Sequence, residues 1–321
     1  MRRLFPSILF IVFAGTVLAQ EYPTRPINII VPAAAGGPTD TLTRVLAQAM
    51  GEALRQQMII ENVGGAGGTI GINRAAKARP DGYTLLLYHI GMATSPALYR
   101  KLPYDTLNDF DYIGQVADVP MMLIAKKTMA AANFREFLPY AKANKDKLTY
   151  ANAGLGSASY LCGILFMSAI DANFTMVPYK GTGPAMNDLV GGQVDFMCDQ
   201  TTNTVPQIKS GNVKAYGVTT ASRLASMPDL PTLDEQGLKG FDLVVWNGLF
   251  GPKGMPKPAV EKLVAALQTA VQSAAFRARL ADLGAEPVPP SKATPASLGT
   301  LLKAEVEKWA PIIRKSGVYA D

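Results

Sequence analysis

The sequence holds one histidine, His89, and only two cysteines, Cys162 and Cys198. A lone histidine with no obvious acidic partner leaves little room for a Ser-His-Asp triad. The G-x-S-x-G turn that presents a hydrolase serine is missing. So are H-E-x-x-H and any cysteine pair at zinc spacing, and there is no P-loop. Charged residues make up only 17% of the chain, and no dense Lys/Arg stripe with interleaved aromatics occurs, so no nucleic-acid partner is expected. Beyond residue 19 no apolar run reaches the about 20 residues a membrane span needs. Together these absences point away from an enzyme and imply no cofactor and no metal.

The N-terminus carries what the rest lacks. Arg2 and Arg3 precede an apolar run from Leu4 to Leu18, and Val17-Leu18-Ala19 places small residues before Gln20. This pattern predicts a secretory signal peptide over 1–19, cut after Ala19. The run is too short for an anchor, and no cysteine follows it to take a lipid. Without Arg2 and Arg3 the chain keeps 29 basic residues against 25 acidic ones, a net +4 that suits an anionic ligand. In an oxidising periplasm Cys162 and Cys198 either bridge within one lobe or lie as small buried thiols.

With 321 residues, 48% of them hydrophobic, the chain is long enough for about two domains. Short β-rich runs alternate with amphipathic helical runs, the pattern of an α/β protein with mainly parallel sheets. Strands are expected at 27–32, 58–62, 84–88, 110–116, 121–125, 149–151, 175–177, 194–198, 215–219 and 244–251. Helices are expected from about Leu42 to Met50, from the 64–71 turn through Ala78, and at 134–143, 157–170, 183–191, 204–210, 258–283 and 295–316. Residues 22–120 and 121–222 form two similar units, and a tail from about 223 most simply returns to the first.

Two strand–turn–helix junctions are the main candidates for chemistry. Ala33-Ala34-Ala35-Gly36-Gly37-Pro38-Thr39-Asp40 lets backbone approach a ligand, and a helix start behind it offers unpaired N–H groups to an anion. Its bland reading is a turn in which Asp40 only caps the helix. Asn152-Ala153-Gly154-Leu155-Gly156-Ser157-Ala158-Ser159 repeats the context in the other unit, and the pair would suit the two ends of a dicarboxylate. A third glycine-rich turn at 64–71 fails the G-x-G-x-x-G test at Ile70 and reads as a cleft-lining or structural turn. Strand ends add His89 to Ser95, Lys180-Gly181 and Asp199-Gln200. His89 reads equally as a structural residue, and Lys180 as a surface lysine. Trp246 and Phe250 would wall an aromatic ligand or belong to the core.

Several motifs taken together resemble a known family. Tyr22-Pro23-x-Arg25-Pro26-Ile27, Gly36-Gly37-Pro38-Thr39-Asp40 and Glu61-Asn62-Val63-Gly64-Gly65-Ala66-Gly67-Gly68 are similar to the Bug-type receptors of tripartite tricarboxylate transporters. Pro80-Asp81-Gly82-Tyr83-Thr84-Leu85, Val177-Pro178-Tyr179-Lys180-Gly181, Gly191-Gly192-Gln193-Val194-Asp195 and Leu230-Pro231-Thr232-Leu233 extend the likeness over nearly the whole mature chain. The Ala33-Ala34-Ala35 stretch departs from bulkier residues common in that family.

The resemblance implies a type II periplasmic-binding fold: lobe 1 from 20–120 plus 223–321, lobe 2 from 121–222, and a ligand cleft between them. It implies a monomer that hands a small carboxylate to membrane subunits of a tripartite transporter. It places the carboxylate between the 33–40 and 152–159 loops, held by backbone groups and ordered water. The site residues expected are Ala35, Gly36, Gly37, Pro38, Thr39, Asp40, His89, Thr94, Gly156, Ser157, Ala158, Ser159, Lys180, Gly181, Asp199 and Gln200. The stretches His89–Thr94 and Cys198–Asn203 further resemble receptors for aromatic dicarboxylates such as terephthalate. The alternatives are a ligand-presenting sensor or a secreted hydrolase or isomerase on the same fold.

Overall fold

The computed structural model describes residues 22–316 and 319–320, so the expected signal peptide lies outside the described residues. The near-continuous apolar run Ile-Asn-Ile-Ile-Val forms β1 (Ile27–Val31). Such a run suits a parallel strand covered on both faces. β1 lies between β2 (Met58–Asn62) and β3 (Thr84–His89), parallel to both. Between β1 and β2 runs α1 (Pro38–Leu54), which buries Leu42, Leu46, Met50 and Leu54 along one face at four-residue spacing. Cutting Leu46 back to alanine would cost about 3 kcal/mol. α2 (Thr69–Ala76) precedes β3, and α3 (Gly91–Leu98) follows it.

β4 (Phe110–Lys126) joins the two halves of the molecule. Two separate strands were expected here, at 110–116 and 121–125, but the chain runs on as one 17-residue strand. Phe110 to Pro120 pair with β9 (Val244–Pro252), with register shifts near Gly114 and Ala117. From Met121 onward β4 pairs instead with β7 (Phe196–Gln200) and β8 (Val213–Val218). Pro120 stands at this hand-over, where a missing ladder N–H is tolerated.

Beyond it lie α4 (Phe134–Ala143), β5 (Thr149–Asn152), α5 (Ala158–Ile170), β6 (Thr175–Pro178), α6 (Thr182–Val190) and α7 (Thr201–Lys209). β5 is parallel to β6 and β7. β9 is antiparallel to both β3 and β4, so the last third of the chain returns to the side where the first began. Thr219 fastens this second crossing: its hydroxyl donates to Leu243 O (2.6 Å), and its N–H donates to Met121 O (2.9 Å).

The expected helix 258–283 is two helices, α8 (Lys257–Gln272) and α9 (Ala274–Asp282). Ser273 takes an extended conformation between them and caps α9, its hydroxyl accepting from Phe276 N–H. β10 (Glu286–Pro287), where no strand is expected, pairs antiparallel with β4, and α10 (Pro295–Ser316) closes the chain as expected. Apolar side chains form one core around α1, α8 and α9, another around α6 and α7, and a third that runs through the middle of the molecule. Cys162 of α5 and Cys198 of β7 are joined in a disulfide, which settles the choice the sequence left open.

Candidate functional site

A cavity of about 340 Å³ opens where the strand ends of both halves meet. Four helices begin in its wall. Gly37 precedes α1, Ser157 precedes α5, Gly181 precedes α6 and Gln200 precedes α7, and all four of these residues line the cavity. Helix starts carry unpaired N–H groups and a partial positive charge. No side chain caps α1, α6 or α7.

The turn before α1 is built around Asp40. Its carboxylate accepts from Gly36 N–H (2.9 Å), from Arg44 Nε (2.9 Å) and Nη2 (3.1 Å), and from Asn62 Nδ2 (3.1 Å). Burial pushes its pKa up, but the bonds from Arg44, Gly36 and Asn62 outweigh burial and hold the carboxyl below its ordinary range. Asn62 also donates to Ala33 O (3.2 Å), which ties the turn to the end of β2.

The turn before α5 is held differently. Asn152 Oδ1 accepts from Gly154 N–H (2.9 Å), and Ser159 Oγ accepts from Ala153 N–H (2.8 Å). Ser157 Oγ accepts from Tyr160 N–H (3.2 Å) and lies 3.1 Å from Ser159 Oγ. Both serine hydroxyls are thus engaged inside the turn.

The two halves touch around the cavity mainly through backbone. Thr94 Oγ1 donates to Gly156 O (3.2 Å), and Thr202 Oγ1 to Pro38 O (3.5 Å). Gly67 has φ of +61°, and a Cβ there would collide with Leu155 O. The turn that contains it is held by tyrosines: Tyr88 donates to Gly67 O (2.9 Å) and Tyr99 to Ala66 O (2.6 Å).

Burial shifts several titratable groups in the wall. His89 falls to about 3, so its imidazole stays neutral. Nδ1 accepts from Gly91 N–H (3.2 Å), which leaves the proton on Nε2. Its ring stacks on Tyr88 with centroids 4.1 Å apart. Asp199 rises to about 6, because its burial outweighs the bonds from Asn203 and Gln200. Tyr179 is pushed up to about 12 by burial and by the Asp188 carboxylate, to which it donates at 2.6 Å.

Of the residues expected at the site, Gly37, Pro38, Thr39, His89, Ser157, Ala158, Ser159, Lys180, Gly181, Asp199 and Gln200 line the cavity. Ala35, Gly36, Asp40, Thr94 and Gly156 do not line it: Asp40 and Thr94 are buried ties, and Ala35 and Gly36 are exposed. The 65–68 turn, Tyr88, Tyr99, Leu155, Tyr179 and Ala320 line it as well. The glycine-rich turn carried a signal for this, since it repeats the strand–turn–helix context; Ala320 carried none. Trp246 lines a different groove and donates to Glu305 Oε2 (3.2 Å), while Phe250 is core.

Comparison with known proteins agrees with this geometry. The sequence pattern of the tripartite tricarboxylate transporter family receptor matches residues 42–318. The chain belongs to that receptor family. Its fold superposes on the periplasmic binding protein BugD with a TM-score of 0.91 at 49% identity, covering 94% of this chain and 100% of BugD. MatC from Rhodopseudomonas palustris, solved with bound malate, gives 0.86 at 41% identity and covers 91% and 100%. A second R. palustris protein, Rpa4515 with adipate, gives 0.88 at 30% identity and covers 93% and 99%. This tripartite transporter receptor therefore has the two-lobed α/β architecture of periplasmic binding proteins, and it is a solute-binding receptor of the periplasmic Bug type.

Proposed function

We propose that the protein is secreted, loses residues 1–19, and closes around a small dicarboxylate without turning it over. It then presents the closed form to the membrane subunits of a tripartite transporter. The observation that carries this reading is the convergence of four helix starts on one cavity, three of them without a side-chain cap. Each such start favours an anion by about 0.3–1 kcal/mol, and by up to about 2 kcal/mol where partly buried. The cavity volume lies at the small end of the range for ligand pockets. The malate and adipate of the two solved relatives are both dicarboxylates.

The lobes we propose are 20–120 with 223–321, and 121–222, with crossings at Pro120–Met121 and near Thr219–Leu243. Two narrower variants compete: the tyrosines in the wall, Tyr88, Tyr99 and Tyr179, suit a planar aromatic diacid such as terephthalate, while the buried Asp199 carboxylate in the same wall suits a diacid that carries a hydrogen-bond donor. The test is a thermal-shift screen of the mature chain against mono-, di- and tricarboxylates, aliphatic and aromatic. A ligand at 100 times its Kd adds about 2.7 kcal/mol of stability. A shift confined to dicarboxylates, with no product formed, is the expected result; turnover, or silence to every dicarboxylate, overturns the reading. Sizing of the free protein should give a monomer, and the periplasmic form should begin at Gln20.

A further inference from the structure

Asp199 is the next-to-last residue of β7, after the apolar Phe196, Met197 and Cys198; it lines the cavity and is 1% exposed. Oδ1 accepts from Gln200 N–H (2.8 Å) and Oδ2 from Asn203 Nδ2 (2.6 Å). An ionised carboxylate can accept about four hydrogen bonds, so acceptor capacity remains. What it lacks is a cation. Among the described residues no lysine or arginine pairs with it: Arg44 is taken by Asp40, and Lys126 by Asp195. His89, in the same wall, is neutral. Lys180 lines the cavity but makes no ion pair with Asp199. A buried charge without a counter-ion is costly, and an incoming dianion would add repulsion to that cost.

We infer that Asp199 decides which dicarboxylates the cleft accepts, by taking a hydrogen bond from a hydroxyl or ammonium group on the ligand's carbon chain. Such a donor converts repulsion into a charge-assisted bond. A plain diacid has nothing to offer Asp199 and meets only its negative charge. Burial raises the Asp199 pKa to about 6, which still leaves the group ionised above neutral pH, where it acts as an acceptor. This inference rests on the reading of the chain as a dicarboxylate receptor.

The experiment is titration calorimetry at pH 7.5 with succinate, malate and aspartate, with their five-carbon counterparts glutarate, 2-hydroxyglutarate and glutamate, and with terephthalate. The wild type is compared with Asp199→Asn and Asp199→Ala. In the wild type, the hydroxyl- or ammonium-bearing member of a series should bind at least about 10-fold tighter than the plain diacid. A lead for the amino acids identifies an ammonium, and a lead for the hydroxy acids a hydroxyl. In either variant the gap should shrink below about 3-fold. Equal or tighter binding of succinate, glutarate or terephthalate by the wild type overturns the role of Asp199 while leaving the receptor reading intact, and needs no variant to fold. A donor preference that survives in a folded variant does the same. Silence to all seven ligands overturns both readings.

Discussion

The turns before α1 and α5 share a plan, strand to small-residue turn to helix, yet they satisfy their backbone in opposite ways. At α5 the serines supply the hydrogen bonds, so the helix start is capped from within. At α1 the cap is Gly37, which has no side chain, and the only polar anchor is Asp40, engaged with Arg44, Gly36 and Asn62. The second arrangement leaves the N–H groups of the first turn of α1 without a side-chain partner. An anion therefore gains more at α1, and at the equally uncapped α6 and α7, than at α5. The same sequence pattern yields an open helix start in one place and a braced one in the other.

Perturbing the two turns should expose this difference. Of the turn variants, the largest effect is expected from Asp40→Ala, which strands four donors from three residues and should cost about 2–3 kcal/mol in denaturant unfolding, with ligand binding lost as the turn loosens. Gly37→Leu comes next. Its Cβ would stand 3.4 Å from Ala34 O and 3.6 Å from Gly183 N, so a larger side chain should hold the halves apart and weaken binding by at least about 100-fold, or about 2.7 kcal/mol. Melting temperature should move little, and unchanged affinity would remove this turn from the site.

Asp199 titrates with a definite sign. Its native pKa lies above its unfolded value, so between about pH 4 and 6 the native state holds the extra proton, and stability falls as pH rises. A rise from the ordinary carboxylate range to about 6 corresponds to about 3 kcal/mol. Asp199→Asn should gain on the wild type by about that amount between pH 4 and 7, which paired denaturation curves would measure. Asn203, Gln200 and Thr182 act on the Asp199 carboxylate, Tyr150 senses its charge, and neutral His89 and Lys180 line the same cavity; preference for a donor-bearing ligand should fade as pH drops through about 6. The smallest effect is expected from Ser157→Ala, which should lose about 1 kcal/mol of stability as a cap, with affinity changed less than about 10-fold. A large affinity loss there would reverse the contrast between the turns.

Periodicity made most elements readable. Met58–Asn62, Phe134–Ala143 and Pro295–Ser316 match their expected spans, because each is bounded by turn residues and carries a clean apolar pattern. α3 escaped notice for the opposite reason: six of its eight residues are buried and Pro96 lies within it, so it has no polar face to set a period. The gap expected between residues 116 and 121 is closed, because pairing with β9 on one side and β7 on the other carries β4 through Asp118 and Pro120. The serines of 157 and 159 read as ligand groups, and their use inside the turn was visible only once Ala153 and Tyr160 were placed beside them.

What the sequence determined by itself was local: strand–turn–helix units, glycines where backbones touch, and a motif set shared with one receptor family. It could not show which N–H groups stay unpaired, because that depends on a hydroxyl or carboxylate arriving from elsewhere in the fold. Nor could it show that Asp199 is buried without a cation. The tertiary structure decided both, by folding the last third of the chain back beside β3 and bringing four helix starts to one cavity. Charge and hydrogen-bond satisfaction are properties of neighbours in space, and sequence spacing leaves those neighbours free.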